Sequence, residues 1–82
     1  PNKIQPTTRD PIINKVGDNL VASCQTEGAN IGFKFSQKDT ISWKGWKPYT
    51  NPIAYKEGIE IEFKAHRLGY LPSKKVVFSN AN

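Results

Sequence analysis

Alternation of apolar and polar residues along Ile59–Leu68 constrains the fold of this chain more than any other sequence feature. The apolar positions are Ile59, Ile61, Phe63 and Ala65, and the polar positions are Glu60, Glu62, Lys64 and His66. A repeat of two residues places successive side chains on opposite faces of an extended strand, so that one face can be buried while the other meets water. The pattern therefore predicts a β-strand in a sheet that has one buried face and one face exposed to water.

Further short segments of strand-like composition are separated by turn-forming residues. They are Pro11–Val16, Leu20–Cys24, Ile31–Phe35, Ile53–Tyr55 and Val76–Phe78. Gly17 and Asp18 lie between the first two segments and favour a tight hairpin turn. No segment has the three- and four-residue apolar spacing of a ten-residue helix. We therefore predict an all-β fold of six or seven short antiparallel strands, arranged as a sandwich or a small barrel.

The chain of 82 residues has room for one domain. Pro1–Asp10, in which Ile4 is the single large aliphatic residue, has the composition of an extended linker. We assign residues 11–79 to the β-sandwich domain and residues 80–82 to a tail. Because the sequence contains no methionine, we expect it to be part of a longer or processed polypeptide. No apolar run reaches the roughly 18–20 residues that span a bilayer, so we expect no membrane insertion.

Residues for enzymatic chemistry are sparse. A cysteine nucleophile needs a base within hydrogen-bond reach, but Cys24 lies on an apolar strand face and the one histidine, His66, on a polar face. We therefore expect Cys24 in the core and His66 at the surface. Two such residues cannot supply the three or four ligands of a zinc site, and we expect no cofactor. Glu60 and Glu62 share a face as paired carboxylates could, but such alternation is typical of a solvated sheet.

The net charge of +5 permits attraction to nucleic acid, acidic glycans or acidic protein surfaces without choosing among them. Phe33 and Phe35 flank Lys34, an order that also occurs in nucleic-acid-binding strands. Ile31 shares the predicted face of both rings, which favours burial in the core. Nucleic acid is therefore the least favoured of these partners.

The least regular part of the chain combines tryptophan, tyrosine and lysine. It contains the candidate ligand-binding or domain-docking residues Trp43, Lys44, Trp46, Lys47 and Tyr49. An exposed tryptophan in a loop commonly marks a binding surface, for example a platform for sugar rings. Alternatively, one or both tryptophans cover the small core. We expect a core role for at least one of them and leave the role of the other open.

Three ordered segments resemble a known class of accessory domain. The segments are Thr26–Ile31, Trp46–Ile53 with its corner Tyr49-Thr50-Asn51-Pro52-Ile53, and Ile61–Ser73 with the run Lys64-Ala65-His66-Arg67-Leu68-Gly69. Over about Thr26–Val77 the sequence is similar to chitobiase/β-hexosaminidase C-terminal-type domains and to fibronectin-type-III-associated domains. One departure is that Ser36–Thr40 replaces a turn that is often found in this class.

The resemblance implies an immunoglobulin-like β-sandwich without catalytic residues at the tail of a bacterial sulfatase or glycoside hydrolase. Such an enzyme would be periplasmic, on the cell surface or secreted, and the partner of the domain would be the catalytic domain of the same polypeptide. The sulfatase nucleophile motif, Cys or Ser followed by x-Pro-x-Arg, is absent around Cys24. Our alternative is an independent carbohydrate-binding module that uses Trp43 or Trp46. A small nucleic-acid-binding barrel is the least favoured.

Overall fold

Seven short strands and no helix make up the part of the chain that the computed structural model describes, which is residues 5–35, 46–56 and 58–79. The strands are β1 (Ile12–Val16), β2 (Asn19–Ser23), β3 (Asn30–Phe35), β4 (Lys47–Pro48), β5 (Ile53–Ala54), β6 (Glu60–His66) and β7 (Val76–Ser79). In these ranges no helix could cross a membrane. The all-β prediction is confirmed.

The strands form two antiparallel sheets. One sheet has three strands in the order β1-β2-β5, and the other has four strands in the order β4-β3-β6-β7. Every pair of neighbouring strands is antiparallel. Two such sheets can bury one face each against the other, which is the arrangement of a small β-sandwich. Of the two predicted architectures, the sandwich is confirmed.

Gly17 and Asp18 form the predicted hairpin turn between β1 and β2. Val16 pairs with Asn19, which leaves two residues in the loop, and Gly17 has a φ angle of +62°. Two-residue hairpin turns that match the twist of the strands need a positive φ at a central position, and glycine adopts it at little steric cost. The local sequence is therefore sufficient to explain this hairpin.

The core follows the period-two pattern of the strands. Its buried apolar residues are Leu20, Ala22, Tyr55, Ile61, Phe63 and Ala65. Along β6 the buried residues alternate with Glu60, Lys64 and His66, which are exposed. The strongest pattern in the sequence thus gives the correct inner and outer faces of β6.

Phe33 and Phe35 of β3 share a face, but they are buried to different extents. Phe33 packs against the core, with its ring centroid 6.3 Å from that of Phe63. Phe35 lies at the end of the strand, is 37% exposed and meets Phe33 edge to face at 6.1 Å. Because Phe33 is packed inward, the two rings do not form the open pair that base stacking requires.

The described part of the segment that we assigned to a linker is hydrogen-bonded to the second half of the chain. The Thr8 N–H donates to the Leu71 carbonyl at 2.8 Å, and the Leu71 N–H donates to the Pro6 carbonyl at 2.9 Å. Thr8 is 1% exposed, and its Oγ1 accepts a hydrogen bond from the Arg67 N–H at 3.1 Å. Residues 6–8 therefore contact the domain directly, while the domain boundary at residue 11 stays a prediction.

Candidate functional site

The outer face of the four-stranded sheet is the face opposite the buried side chains of Ile61 and Phe63. Residues that lie directly opposite each other in antiparallel strands share a face. Pro48 and Lys64 both pair with Gly32, so these three residues form one row across the outer face. This row crosses β4, β3 and β6 and lies at the centre of the candidate site.

A shallow groove lies over the middle of this row, where Gly32 has no side chain. This outer groove has a volume of about 660 Å³ and is bordered by Trp46, Pro48, Lys64 and His66, among others. Trp46 immediately precedes β4, and its Cε3 lies 3.6 Å from the position that a Cβ atom on Gly32 would occupy. A volume of this size is within the usual range of small-molecule sites.

The charged groups in and beside the outer groove are mainly basic. Lys64 follows Gly32 in the central row, and the Nζ of Lys34 lies 5.2 Å from the centroid of the Trp46 ring, within cation–π range. Among the described residues that line the groove, none is acidic. Glu62, on the same face, forms a salt bridge with Lys75 at 3.5 Å. The groove thus places an aromatic ring beside ammonium groups that an anion could pair with.

His66 borders the outer groove and is oriented by the turn that follows β6. Its Nε2 lies 2.9 Å from the carbonyl oxygen of Tyr70. A carbonyl oxygen can only accept, so Nε2 is the donor and the neutral imidazole keeps Nδ1 as an acceptor. Tyr70 is in turn held by Arg67, whose guanidinium lies 4.7 Å from its ring centroid and donates to its hydroxyl at 3.0 Å.

The structure separates the five residues that the sequence grouped as one surface. Trp43 and Lys44 lie outside the described residues. Trp46 borders the outer groove. Lys47 pairs with Phe33, so its side chain leaves the sheet on the core side, and its carbonyl oxygen is the atom near the floor of the groove, 3.5 Å from the Cβ position on Gly32.

Tyr49, the fifth residue of that group, faces inward. Its ring packs against the core, and its hydroxyl accepts a hydrogen bond of 3.1 Å from the backbone N–H of Ala22 in β2. The Tyr49 N–H donates to the carbonyl of Ile31 in β3 at 2.7 Å. Tyr49 therefore connects the two sheets instead of lining the groove.

Cys24 and His66 contact different backbone groups. Cys24 is half-buried, and its thiol donates to the Arg9 carbonyl at 3.2 Å. The prediction of a core position for Cys24 is wrong, because β2 ends at Ser23 and the thiol turns towards the N-terminal segment. His66 is exposed, as predicted. The described residues contain no group of three His, Cys, Asp or Glu side chains that could hold a metal ion.

The sequence pattern alone does not identify Gly32, Lys34 and Lys64 as parts of one site. The alternation within β3 and β6 places both lysines on a polar face. Their position around Gly32 depends on how β3 pairs with its neighbours, which the pattern of a single strand does not specify. The one available signal was a glycine in the middle of a strand, which often marks a close approach by another group.

Comparison with known proteins identifies a sulfatase that is similar to this chain over a short segment. The protein is an "Ulvan-active sulfatase" from Formosa agariphila, 36% identical over 78 residues. The match covers 95% of this chain but only 13% of the sulfatase. No protein-family model and no solved structure matches the chain, so the assignment to the chitobiase-type class stays a prediction. The chain is thus similar to a small part of a much longer sulfatase.

Proposed function

We propose that the chain is a non-catalytic accessory domain of a secreted bacterial sulfatase and assists the catalytic domain of the same polypeptide. The observation that carries this proposal is the match itself, which covers nearly the whole chain and 13% of the relative. A segment of that size corresponds to one small domain beside a much larger remainder. The reaction centre of the enzyme would lie in that remainder.

The contacts of the two most reactive side chains support a non-catalytic role. The Cys24 thiol donates to the backbone carbonyl of Arg9, and the His66 imidazole contacts the carbonyl of Tyr70. Each group is therefore engaged by a different backbone segment, whereas nucleophilic catalysis needs a base oriented towards the nucleophile. Both contacts are explained by local packing.

The substrate of the parent enzyme would be a sulfated polysaccharide of the kind that the relative's name indicates, ulvan. A polysaccharide substrate agrees with the periplasmic, cell-surface or secreted location that the sequence resemblance implies. The two-sheet sandwich is also the architecture that the sequence resemblance implies for an appended domain of such an enzyme.

Two assays test this proposal. The purified 82-residue chain should release no sulfate from 4-nitrophenyl sulfate or from ulvan. Sulfate release that Cys24→Ser or His66→Gln abolishes would contradict a non-catalytic role.

The second assay deletes the chain from the polypeptide that carries it. Turnover of 4-nitrophenyl sulfate should stay within about twofold of the intact enzyme, whereas turnover of the polysaccharide should fall, because the small substrate needs only the reaction centre. Unchanged turnover of both substrates would remove the basis for an assisting role.

A further inference from the structure

The glycine at position 32, in the floor of the outer groove, does not contribute to the stability of the fold. Gly32 occupies the middle of a central strand, where glycine has no side chain to pack and is less favourable than alanine by about 0.5–1 kcal/mol. Yet a Cβ atom at this position would meet Trp46 and the Lys47 carbonyl only at ordinary van der Waals distances, 3.6 and 3.5 Å. Sterics therefore do not require glycine here. What the glycine provides is a floor without a side chain, against which the Trp46 ring lies at one edge of the groove.

The groups around this floor are of the chemical types that can bind a negatively charged sugar. The Trp46 indole offers a flat apolar surface of the kind that packs against the face of a sugar ring. Lys64 lies across the floor from Trp46, and Lys34 already holds its ammonium 5.2 Å from the indole centroid. His66 adds a ring nitrogen that can accept a hydrogen bond, since its Nε2 is committed to Tyr70.

We propose that the outer groove binds an acidic oligosaccharide, with Trp46 against a sugar ring and Lys34 and Lys64 paired with its sulfate or carboxylate groups. On binding, the Lys34 ammonium exchanges its contact with the indole for one with the anion. Which polymer supplies this oligosaccharide rests on the proposed function as part of a sulfatase, whereas the binding itself can be measured without any enzymatic activity.

Charge and ring geometry favour a glycan over the other polyanions. Among the described lining residues there is no carboxylate to oppose an anion, and Glu62, which lies opposite Lys34 in β6, forms a salt bridge with Lys75. Among the described lining residues, the Trp46 indole is the one large aromatic ring, and Phe33 and Phe35 lie on the opposite face of β3, so these residues offer no second ring for a second stacked base. One aromatic surface with flanking cations suits a single sugar ring and its substituents better than a run of stacked bases.

Three polymers separate the contributions of sugar ring and charge. Dextran sulfate carries both, dextran carries only the rings, and poly(vinyl sulfate) carries only the charge. We expect the 82-residue chain to bind dextran sulfate at least about tenfold more tightly than either of the others, as measured by isothermal titration calorimetry in physiological salt. Equal affinity for poly(vinyl sulfate) would show that charge alone attracts the protein and would overturn the proposal.

Matched variants locate the binding. Trp46→Ala should weaken dextran sulfate binding by about tenfold, and Lys64→Gln by about threefold to tenfold with a smaller salt dependence. Lys15→Gln removes the same charge from β1 in the other sheet, where Lys15 is exposed, and should change affinity by less than twofold. A loss with Lys15→Gln equal to that with Lys64→Gln would overturn the proposal.

Thermal melting of each variant shows whether it is folded, and Trp46→Phe replaces Trp46→Ala if the latter is not.

Hydrogen exchange tests whether another domain of the longer polypeptide covers the outer groove. Amide protection at Trp46 and Lys47 should be the same in the isolated chain and in the longer polypeptide. Strong protection in the longer polypeptide alone would mean that the catalytic domain covers the groove. That result would overturn glycan binding in the outer groove and leave the accessory-domain proposal intact. Sulfate release by the isolated chain would instead overturn the accessory-domain proposal and leave glycan binding intact.

Discussion

The hydroxyl of Tyr49 accepts a hydrogen bond from the backbone N–H of Ala22 across the gap between the two sheets, at 3.1 Å. Among the described strands, β5 pairs with β2 at Asn19 and Leu20, and none of them pairs with the Ala22 N–H on the side of β2 that faces β5. The Tyr49 side chain, which extends from the four-stranded sheet, therefore supplies the hydrogen-bond acceptor for a backbone N–H of the three-stranded sheet next to the buried core.

We expect Tyr49→Phe to lower the free energy of unfolding by about 1–2 kcal/mol, because the Ala22 N–H would lose its partner without any change in packing volume. Urea denaturation followed by fluorescence measures the change. Tyr55→Phe is the matched control, since the Tyr55 hydroxyl is buried and has no hydrogen-bond partner within residues 5–35, 46–56 and 58–79. Its removal should leave stability unchanged or raise it. The same loss in both variants would mean that the Tyr49 hydrogen bond is not responsible.

Thr8→Val should destabilise the protein by about 1–3 kcal/mol. The substitution keeps the shape of a side chain that is 1% exposed, but it removes the oxygen that accepts from the Arg67 N–H. Thr7→Val is the control, because the neighbouring threonine is exposed. Thermal or urea unfolding of the two variants measures the difference. If residues 1–10 act only as a linker, both variants will unfold like the wild type.

Trp46→Ala should cost clearly less stability than Phe63→Ala. Phe63 is fully buried in the core, where truncation of an aromatic residue typically costs about 3–5 kcal/mol. Trp46 lies on the outer face over Gly32 and is only partly buried. Equilibrium unfolding measures both changes, and equal losses would show that Trp46 is a core residue and not a wall of the groove.

Gly32→Ala should raise the free energy of unfolding by about 0.5–1 kcal/mol while it narrows the outer groove. The added methyl group meets its neighbours at ordinary contact distances. Gly17→Ala serves as the contrasting variant, because the φ angle of +62° at Gly17 strains any residue with a Cβ atom. Melting temperatures of the two variants should therefore move in opposite directions. A loss of stability at Gly32 would mean that the groove floor cannot accept a side chain.

Lys47→Gln should weaken the binding of dextran sulfate less than Lys64→Gln does. Lys64 belongs to the central row of the outer face, whereas Lys47 pairs with Phe33 and directs its side chain to the other side of the sheet. Both substitutions remove one positive charge, so long-range attraction changes equally. Titration calorimetry compares the two variants. A larger effect of Lys47→Gln would place the acidic ligand on the opposite side of β4.

Much of the fold could be predicted because it follows from local patterns. The alternation along β6 fixes which side chains face the core, and Gly17-Asp18 fixes the first hairpin. Cys24 could not be placed in this way, since the alternation that it shares with Leu20 and Ala22 continues one residue beyond the end of β2, and its environment comes from the N-terminal segment. The local sequence pattern thus predicts which side chains are buried within β6, but it does not predict the position of Cys24 just beyond the end of β2.

The candidate site was harder to predict because it depends on strand pairing. Between Trp46 and Tyr49 the side chains alternate about β4, so that Trp46 borders the outer groove while Tyr49 packs inward. The sequence of this stretch shows no clean period of two, and its aromatic and basic residues were grouped as one surface. Only the register of β4 on β3 separates them.

The attachment of Thr8 to Arg67 has a consequence for synthesis of the protein on the ribosome. The two residues are 59 positions apart, and the Asp10 carboxylate accepts from the Lys74 N–H across 64 positions. Contacts of such separation form only after a long loop has closed. The N-terminal residues leave the exit tunnel first, but they must wait for nearly the whole domain to be translated before their partners emerge. The domain therefore completes its fold late in its own translation, and Thr8 and Asp10 make these contacts only then.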